Sequence, residues 1–106
     1  MKLTVLGPGC WGLTLAWLLT DNFDEVCVWG RTSDISDELR QYKRTTKPLP
    51  VQLSDKVEIT DNLSEAIEGA DIIFLVVATS GIRPVCQQLK MAGLKDNQLL
   101  VNLLKG

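Results

Sequence analysis

Six residues near the start, Gly7-Pro8-Gly9-Cys10-Trp11-Gly12, constrain the fold more than any other stretch. They follow the apolar run Leu3-Thr4-Val5-Leu6 and precede Leu13-Thr14-Leu15-Ala16-Trp17-Leu18-Leu19. The pattern predicts a strand, a glycine turn and a helix, with the glycines spaced G-x-G-x-x-G. Gly7 lets the chain leave the strand where a Cβ would clash. Gly9 lets an outside group approach the backbone closely, and Gly12 lets the helix pack hard on the strand. The amides of Cys10, Trp11 and Gly12 then point out of a helix N-terminus and, with the helix dipole, make an anion site. Pro8 has no N–H to donate. That costs little when the anion is held from residue 10 onward.

The rest of the chain supplies the setting this turn demands. Residues 2–6 read as a buried parallel strand and residues 10–20 as the first helix, with Trp17 expected in the core. Glu25 to Trp29 is a second strand. Ser33 or Asp34 is placed to cap a helix running to about Tyr42, acidic early and basic late. Residues 45–55 read as a loop punctuated by Pro48 and Pro50. Residues 56–60 form a third strand, and Thr60 or Asp61 caps a helix ended by Gly69. The run Asp71-Ile72-Ile73-Phe74-Leu75-Val76-Val77 is the strongest strand signal. A helix over 81–91 tolerates Pro84 in its first turn and stops at Gly93. Residues 98–103 are a fifth strand.

This alternation implies an α/β fold: a doubly wound parallel sheet of Rossmann type, five strands in the order 3-2-1-4-5. The switch between strands 1 and 4 then lies beside the glycine turn, which marks a dinucleotide site. The tip of strand 2 falls where an adenine ribose is read. That tip, Trp29-Gly30-Arg31, carries no carboxylate. Arg31 can bond a 2′-phosphate or stack on adenine, or it can pair with Asp34 at the surface.

Composition narrows the class. The chain has 106 residues, enough for one domain, and a net charge of −2 that gives no field for nucleic acid or an anionic membrane. The cluster Arg40, Lys43, Arg44, Lys47 reads as a solvated surface. Histidine is absent, and Cys10, Cys27 and Cys86 form no Cys-x-x-Cys, so neither a metal site nor a disulfide framework is expected. A reducing cytoplasm fits. No apolar run reaches transmembrane length, and Met1-Lys2 leads directly into a strand without room for a signal peptide.

Gly7-Pro8-Gly9-Cys10-Trp11-Gly12, Trp29-Gly30-Arg31, Gly69-Ala70-Asp71 and Lys105-Gly106 resemble the N-terminal domain of NAD(P)-dependent glycerol-3-phosphate dehydrogenases. The similarity runs the length of the chain. It implies NADP or NAD as cofactor, with Cys10 (where the family usually has serine) and Trp11 contacting its phosphates through the backbone. Arg31 falls at the family's adenosine-side position. Lys105 falls at the family's lysine beside the nicotinamide and the substrate, where it would polarise the substrate carbonyl. Two departures stand out: Ala78-Thr79-Ser80-Gly81 replace a Val-Pro segment at the nicotinamide wall, and Thr45 and Pro48 replace an Asn and a Tyr.

In the family a helical C-terminal domain carries the second active-site lysine, which serves as proton donor and acceptor. Residues 1–106 therefore read as one dinucleotide-binding domain, incomplete at its C-terminal end, with no catalytic residue of its own and no turnover alone. A small phosphorylated substrate is expected through the missing domain, and a homodimer is allowed. Three other readings compete: a free-standing dinucleotide-binding module, a non-functional remnant, and the cofactor domain of a hydroxyacid or 6-phosphogluconate dehydrogenase. Trp29-Gly30-Arg31 and Lys105 argue against the last.

Overall fold

The computed structural model describes residues 1–46, 50–77 and 82–103. Five parallel strands make the main sheet: β1 (Lys2–Leu6), β2 (Glu25–Trp29), β5 (Val57–Thr60), β6 (Ile72–Leu75) and β7 (Leu99–Asn102). Their spatial order is β5-β2-β1-β6-β7. Counting main-sheet strands alone, this is the expected 3-2-1-4-5. Register is continuous across the centre, with Leu6 beside both Trp29 and Leu75, so β1, β2 and β6 finish level at their carboxyl ends.

Strand alternation divides the core. Leu3, Val5, Val26, Val28 and Val57 face one side and pack with Leu13 and Ala16 of α1 (Cys10–Leu19) and Leu39 of α2 (Asp37–Tyr42). Leu6, Cys27, Trp29, Ile73 and Leu75 face the other side. There they meet Leu63, Ala66 and Ile67 of α3 (Leu63–Ile67), and Val85 and Leu89 of α4 (Ile82–Ala92). Helices on both faces explain why β1 is nearly all apolar. Its one buried polar residue, Thr4, donates its hydroxyl to the Ala66 carbonyl. Lys56 Nζ reaches the carbonyls of Thr20 and Phe23, placing a cation at the C-terminal end of α1 where the dipole favours one. Gly93, at φ +94°, stops α4.

Several expected boundaries move. The first helix ends at Leu19 and tightens into a 3₁₀ turn over Thr20–Asn22. The second is not capped by Ser33 or Asp34. A 3₁₀ turn occupies Thr32–Asp34, Ile35 is extended and buried, and Ser36 caps α2 by accepting from the Leu39 amide at 3.1 Å. Burying Ile35 interrupts the helix and delays its start. The 45–55 loop contains a short antiparallel pair, β3 (Arg44–Thr45) with β4 (Val51–Gln52). Asn62, rather than Thr60 or Asp61, caps α3, accepting from the Glu65 amide at 3.1 Å. The fourth main-sheet strand is four residues, not seven. Asp71 stands before it, its carboxylate accepting from the Lys2 amide at 2.8 Å.

Trp17 is not core. It is 55% exposed, as are Trp11 and, nearly so, Leu18, because Leu13, Ala16 and Thr20 hold the sheet-facing stripe of α1. Lys47 and Pro48, Ala78 to Gly81, and Leu104, Lys105 and Gly106 lie outside the described residues.

Candidate cofactor site

The glycine turn is built by close approaches. Gly7 has φ +135°, a region side chains rarely enter, and donates its amide to the Trp29 carbonyl at 2.8 Å. A Cβ there would stand 2.8 Å from the Val76 carbonyl oxygen. A Cβ on Gly12 would stand 2.1 Å from the Gly7 carbonyl oxygen and 3.3 Å from Val5 Cγ1. Both glycines are therefore required by the fold itself.

Gly9 differs. It is the N-cap of α1, extended at φ −69° and ψ 176°, and among the described residues a Cβ there would meet nothing within 4 Å. The space in front of it is open. The N-cap glycine of α1 has no side chain to cap the helix, and the first turn has no acidic residue. The amides of Cys10, Trp11 and Gly12 precede the first helical bond, from the Leu13 amide to the Gly9 carbonyl at 3.0 Å. A ten-residue helix whose first turn lacks a side-chain acceptor, behind a residue with free space before it, suits an incoming phosphate oxygen.

A cleft of about 450 Å³ runs from this turn across the carboxyl ends of the strands. The turn forms one wall and Trp29, Gly30, Arg31 and Asp34 another; Val76, Val77 and the start of α4 close the third. Trp29 lies beneath it, 4% exposed, its indole N–H donating to the Asp61 carbonyl at 3.1 Å. Arg31 reaches the rim and is held by Asp34, with Nε 2.9 Å from Oδ2 and Nη2 3.4 Å from Oδ1. That hydrogen bond raises the guanidinium pKa further above its ordinary value. The surface pairing that the sequence allows for Arg31 is thus present, at the edge of the cleft.

Of the predicted site residues, Gly7, Gly9 and Arg31 line one cleft, with Gly12 beneath the turn and Trp11 exposed at the helix start. Cys10 contributes the first helical amide. Lys105 lies outside the described residues. Sequence reasoning placed Gly30 at the tip of strand 2 but missed its packing against the glycine turn. A Cβ on Gly30 would stand 2.5 Å from Pro8 Cγ and 3.3 Å from Ile35 Cγ1, so the tip of β2 nests against the glycine turn only without a side chain. It also missed Pro84, Val85 and Gln88 as lining residues; the place of Pro84 and Val85 in the first turn of the helix after β6 was the available signal.

A doubly wound sheet with an uncapped helix start and a glycine turn at its switch point defines a dinucleotide-binding domain. Residues 2–106 match the family model described as the NAD-dependent glycerol-3-phosphate dehydrogenase N-terminus, and the chain belongs to that family. It is 37% identical to a glycerol-3-phosphate dehydrogenase [NAD(P)+] of Fusobacterium nucleatum, covering all of this chain and 32% of that one. The enzyme of the same name from Bacillus subtilis is 41% identical over 88 residues, which are 82% of this chain and 26% of the relative. The chain therefore spans about a third of the length of the curated relatives it matches. Solved glycerol-3-phosphate dehydrogenases share the fold. That of Coxiella burnetii has TM-score 0.87 at 24% identity over 99% of this chain and 32% of its own. That of Saccharomyces cerevisiae has TM-score 0.83 at 23% identity, over 100% and 34%.

Proposed function

We propose that this chain is the cofactor-binding part of an enzyme that moves a hydride between NAD(P)H and dihydroxyacetone phosphate, giving glycerol 3-phosphate, or the reverse. The bound nicotinamide supplies or accepts the hydride. This chain's residues bind and orient it. The observation that carries the reading is the open space before Gly9, in front of a helix start with no side-chain cap.

The amides of Cys10, Trp11 and Gly12 hold the pyrophosphate, while Gly7 and Gly12 allow the backbone to close beneath it. Arg31 reads the adenosine side from the rim of the cleft. Lys105, which follows the last strand, holds the substrate and offsets the charge that develops on its carbonyl oxygen. None of these is a proton donor matched to the alkoxide, so that role and the walls that exclude water belong to the rest of a longer protein. A cytoplasmic setting and a homodimer complete the reading. Among the described residues no helix is long and apolar enough to cross a membrane.

Titration of NADH and NADPH into the chain, followed by tryptophan emission, tests this. Trp29 beneath the cleft and Trp11 beside the turn both report on occupancy. Saturable quenching by at least one cofactor is expected. So is the absence of NADPH oxidation when dihydroxyacetone phosphate is added. No binding of either cofactor would overturn the assignment, and turnover by the chain alone would overturn the division of roles.

A further inference from the structure

From the sequence, Asp34 reads as a candidate helix cap and as a surface partner for Arg31. The structure puts it in the wall of the cofactor cleft. Its position there is fixed by the backbone. Arg31 is extended, residues 32–34 form a 3₁₀ turn, and the Asp34 amide donates to the Arg31 carbonyl at 2.8 Å. In such a turn side chains three apart eclipse, so the carboxylate is held beside the guanidinium. Buried Ile35 anchors one end of the turn, and Thr32 Oγ1, donating to Asp61 Oδ2 at 2.8 Å, anchors the other. The carboxylate takes two guanidinium N–H groups in a fork, the arrangement by which arginine also takes a phosphate.

We propose that Asp34 is the specificity-determining residue for the cofactor: on Arg31 its carboxylate occupies the place a 2′-phosphate would take. The inference rests on the cofactor reading above. A phosphorylated adenosine must displace Asp34 from Arg31 and then sit beside its negative charge. An unphosphorylated adenosine does neither and leaves the pair intact. Asp34 thus acts as an internal competitor that holds back the affinity Arg31 would otherwise give the phosphorylated form.

The two effects have comparable size. An exposed ion pair of this kind, 72% and 36% exposed, competes by up to about fivefold. Repulsion between the carboxylate and a phosphate at contact distance in water adds roughly another fivefold. Removing Asp34 should therefore raise affinity for a 2′-phosphate by about tenfold or more.

The experiment uses the intact chain and two small probes, AMP and adenosine 2′,5′-bisphosphate, which differ only in the 2′-phosphate. Calorimetric titration of wild type, Asp34→Ala, Asp34→Asn, Arg31→Ala and the double alanine variant measures both affinities. Asp34→Ala should gain about tenfold or more for the bisphosphate and stay within threefold for AMP. Asp34→Asn, which keeps the shape and loses the charge, should gain in the same direction. Arg31→Ala should abolish the gain in the double variant. Thermal melting within about 3 °C of wild type identifies folded variants, and either Asp34 variant alone suffices for the test. Equal changes for both probes, or no change, would overturn the inference while leaving the cofactor reading standing. Wild type that binds neither probe nor either dinucleotide would overturn both.

Discussion

Gly9→Ala and Gly12→Ala differ by one methyl group each and should fail in opposite ways. At Gly12 the added Cβ would lie 2.1 Å from the Gly7 carbonyl oxygen, a backbone atom that cannot swing aside. Overpacking of that kind costs about 1–3 kcal/mol. In a domain of this size each kcal/mol moves Tm by roughly 4–8 °C, so a fall of about 5–20 °C is expected. At Gly9 the added Cβ meets nothing within 4 Å among the described residues, and φ −69° with ψ 176° is open to any residue. The unfolded chain loses freedom, which stabilises by about 0.4–1 kcal/mol. Alanine is a poorer N-cap than glycine by a similar amount. The two nearly cancel, and Tm should stay within about 3 °C. Cofactor binding should nevertheless suffer, because the methyl occupies the space proposed for the pyrophosphate. Losing one hydrogen bond to a charged group, about 1.5–3 kcal/mol, weakens binding roughly 10–100-fold. Differential scanning fluorimetry and cofactor titration read the two effects separately. If Gly9→Ala binds cofactor within threefold of wild type, the phosphate does not sit at this turn. If it melts 10 °C lower, the space before Gly9 is not free.

In a full-length protein carrying this segment, Lys105→Ala should lower kcat/KM by about 100-fold or more, as loss of one preorganised charge does; an effect below threefold returns Lys105 to the surface. Burial pushes the Cys27 thiol from 9.0 up to about 11. Between those values the unfolded chain loses this proton while the folded chain keeps it, so stability should fall as pH rises from 9 towards 11, by up to about 1.4 kcal/mol per pH unit. Urea titrations of wild type and Cys27→Val across that window should show a shallower fall in the variant, and parallel curves would contradict the assignment.

The sheet was legible because apolar runs such as Leu3-Thr4-Val5-Leu6 and Ile72-Ile73-Phe74-Leu75 mark strands covered on both faces, and alternation with helices then leaves few topologies. Helix starts were harder. Ser33, Asp34 and Ser36 are all good caps, as are Thr60, Asp61 and Asn62. The choice fell to the need to bury Ile35 in one case and Leu63 in the other, both tertiary demands. The exposure of Trp17 had a similar cause. The apolar residues of α1 nearly circle its axis, so residue type could not say which stripe faces the sheet. In the cleft the glycine turn was plain from spacing. Asp34 was visible as a cap candidate and a partner of Arg31 but not as part of the cleft, because its place in the cleft wall depends on a 3₁₀ turn that the local sequence does not announce.

The nesting of Gly30 against Pro8 ties two positions 22 residues apart into one inheritable unit. With a proline ring at position 8 there is no room for a Cβ at position 30. An alanine at position 8 would withdraw Cγ and Cδ and leave Ile35 Cγ1, at 3.3 Å, as the remaining close neighbour. Neither change is equally accessible as a first step: Gly30→Ala alone meets the ring, whereas Pro8→Ala alone only leaves a gap. In an alignment of relatives the two positions should therefore be correlated, with side chains at 30 found where 8 is small. A lineage that has acquired proline at 8 is held to glycine at 30 for as long as the ring remains.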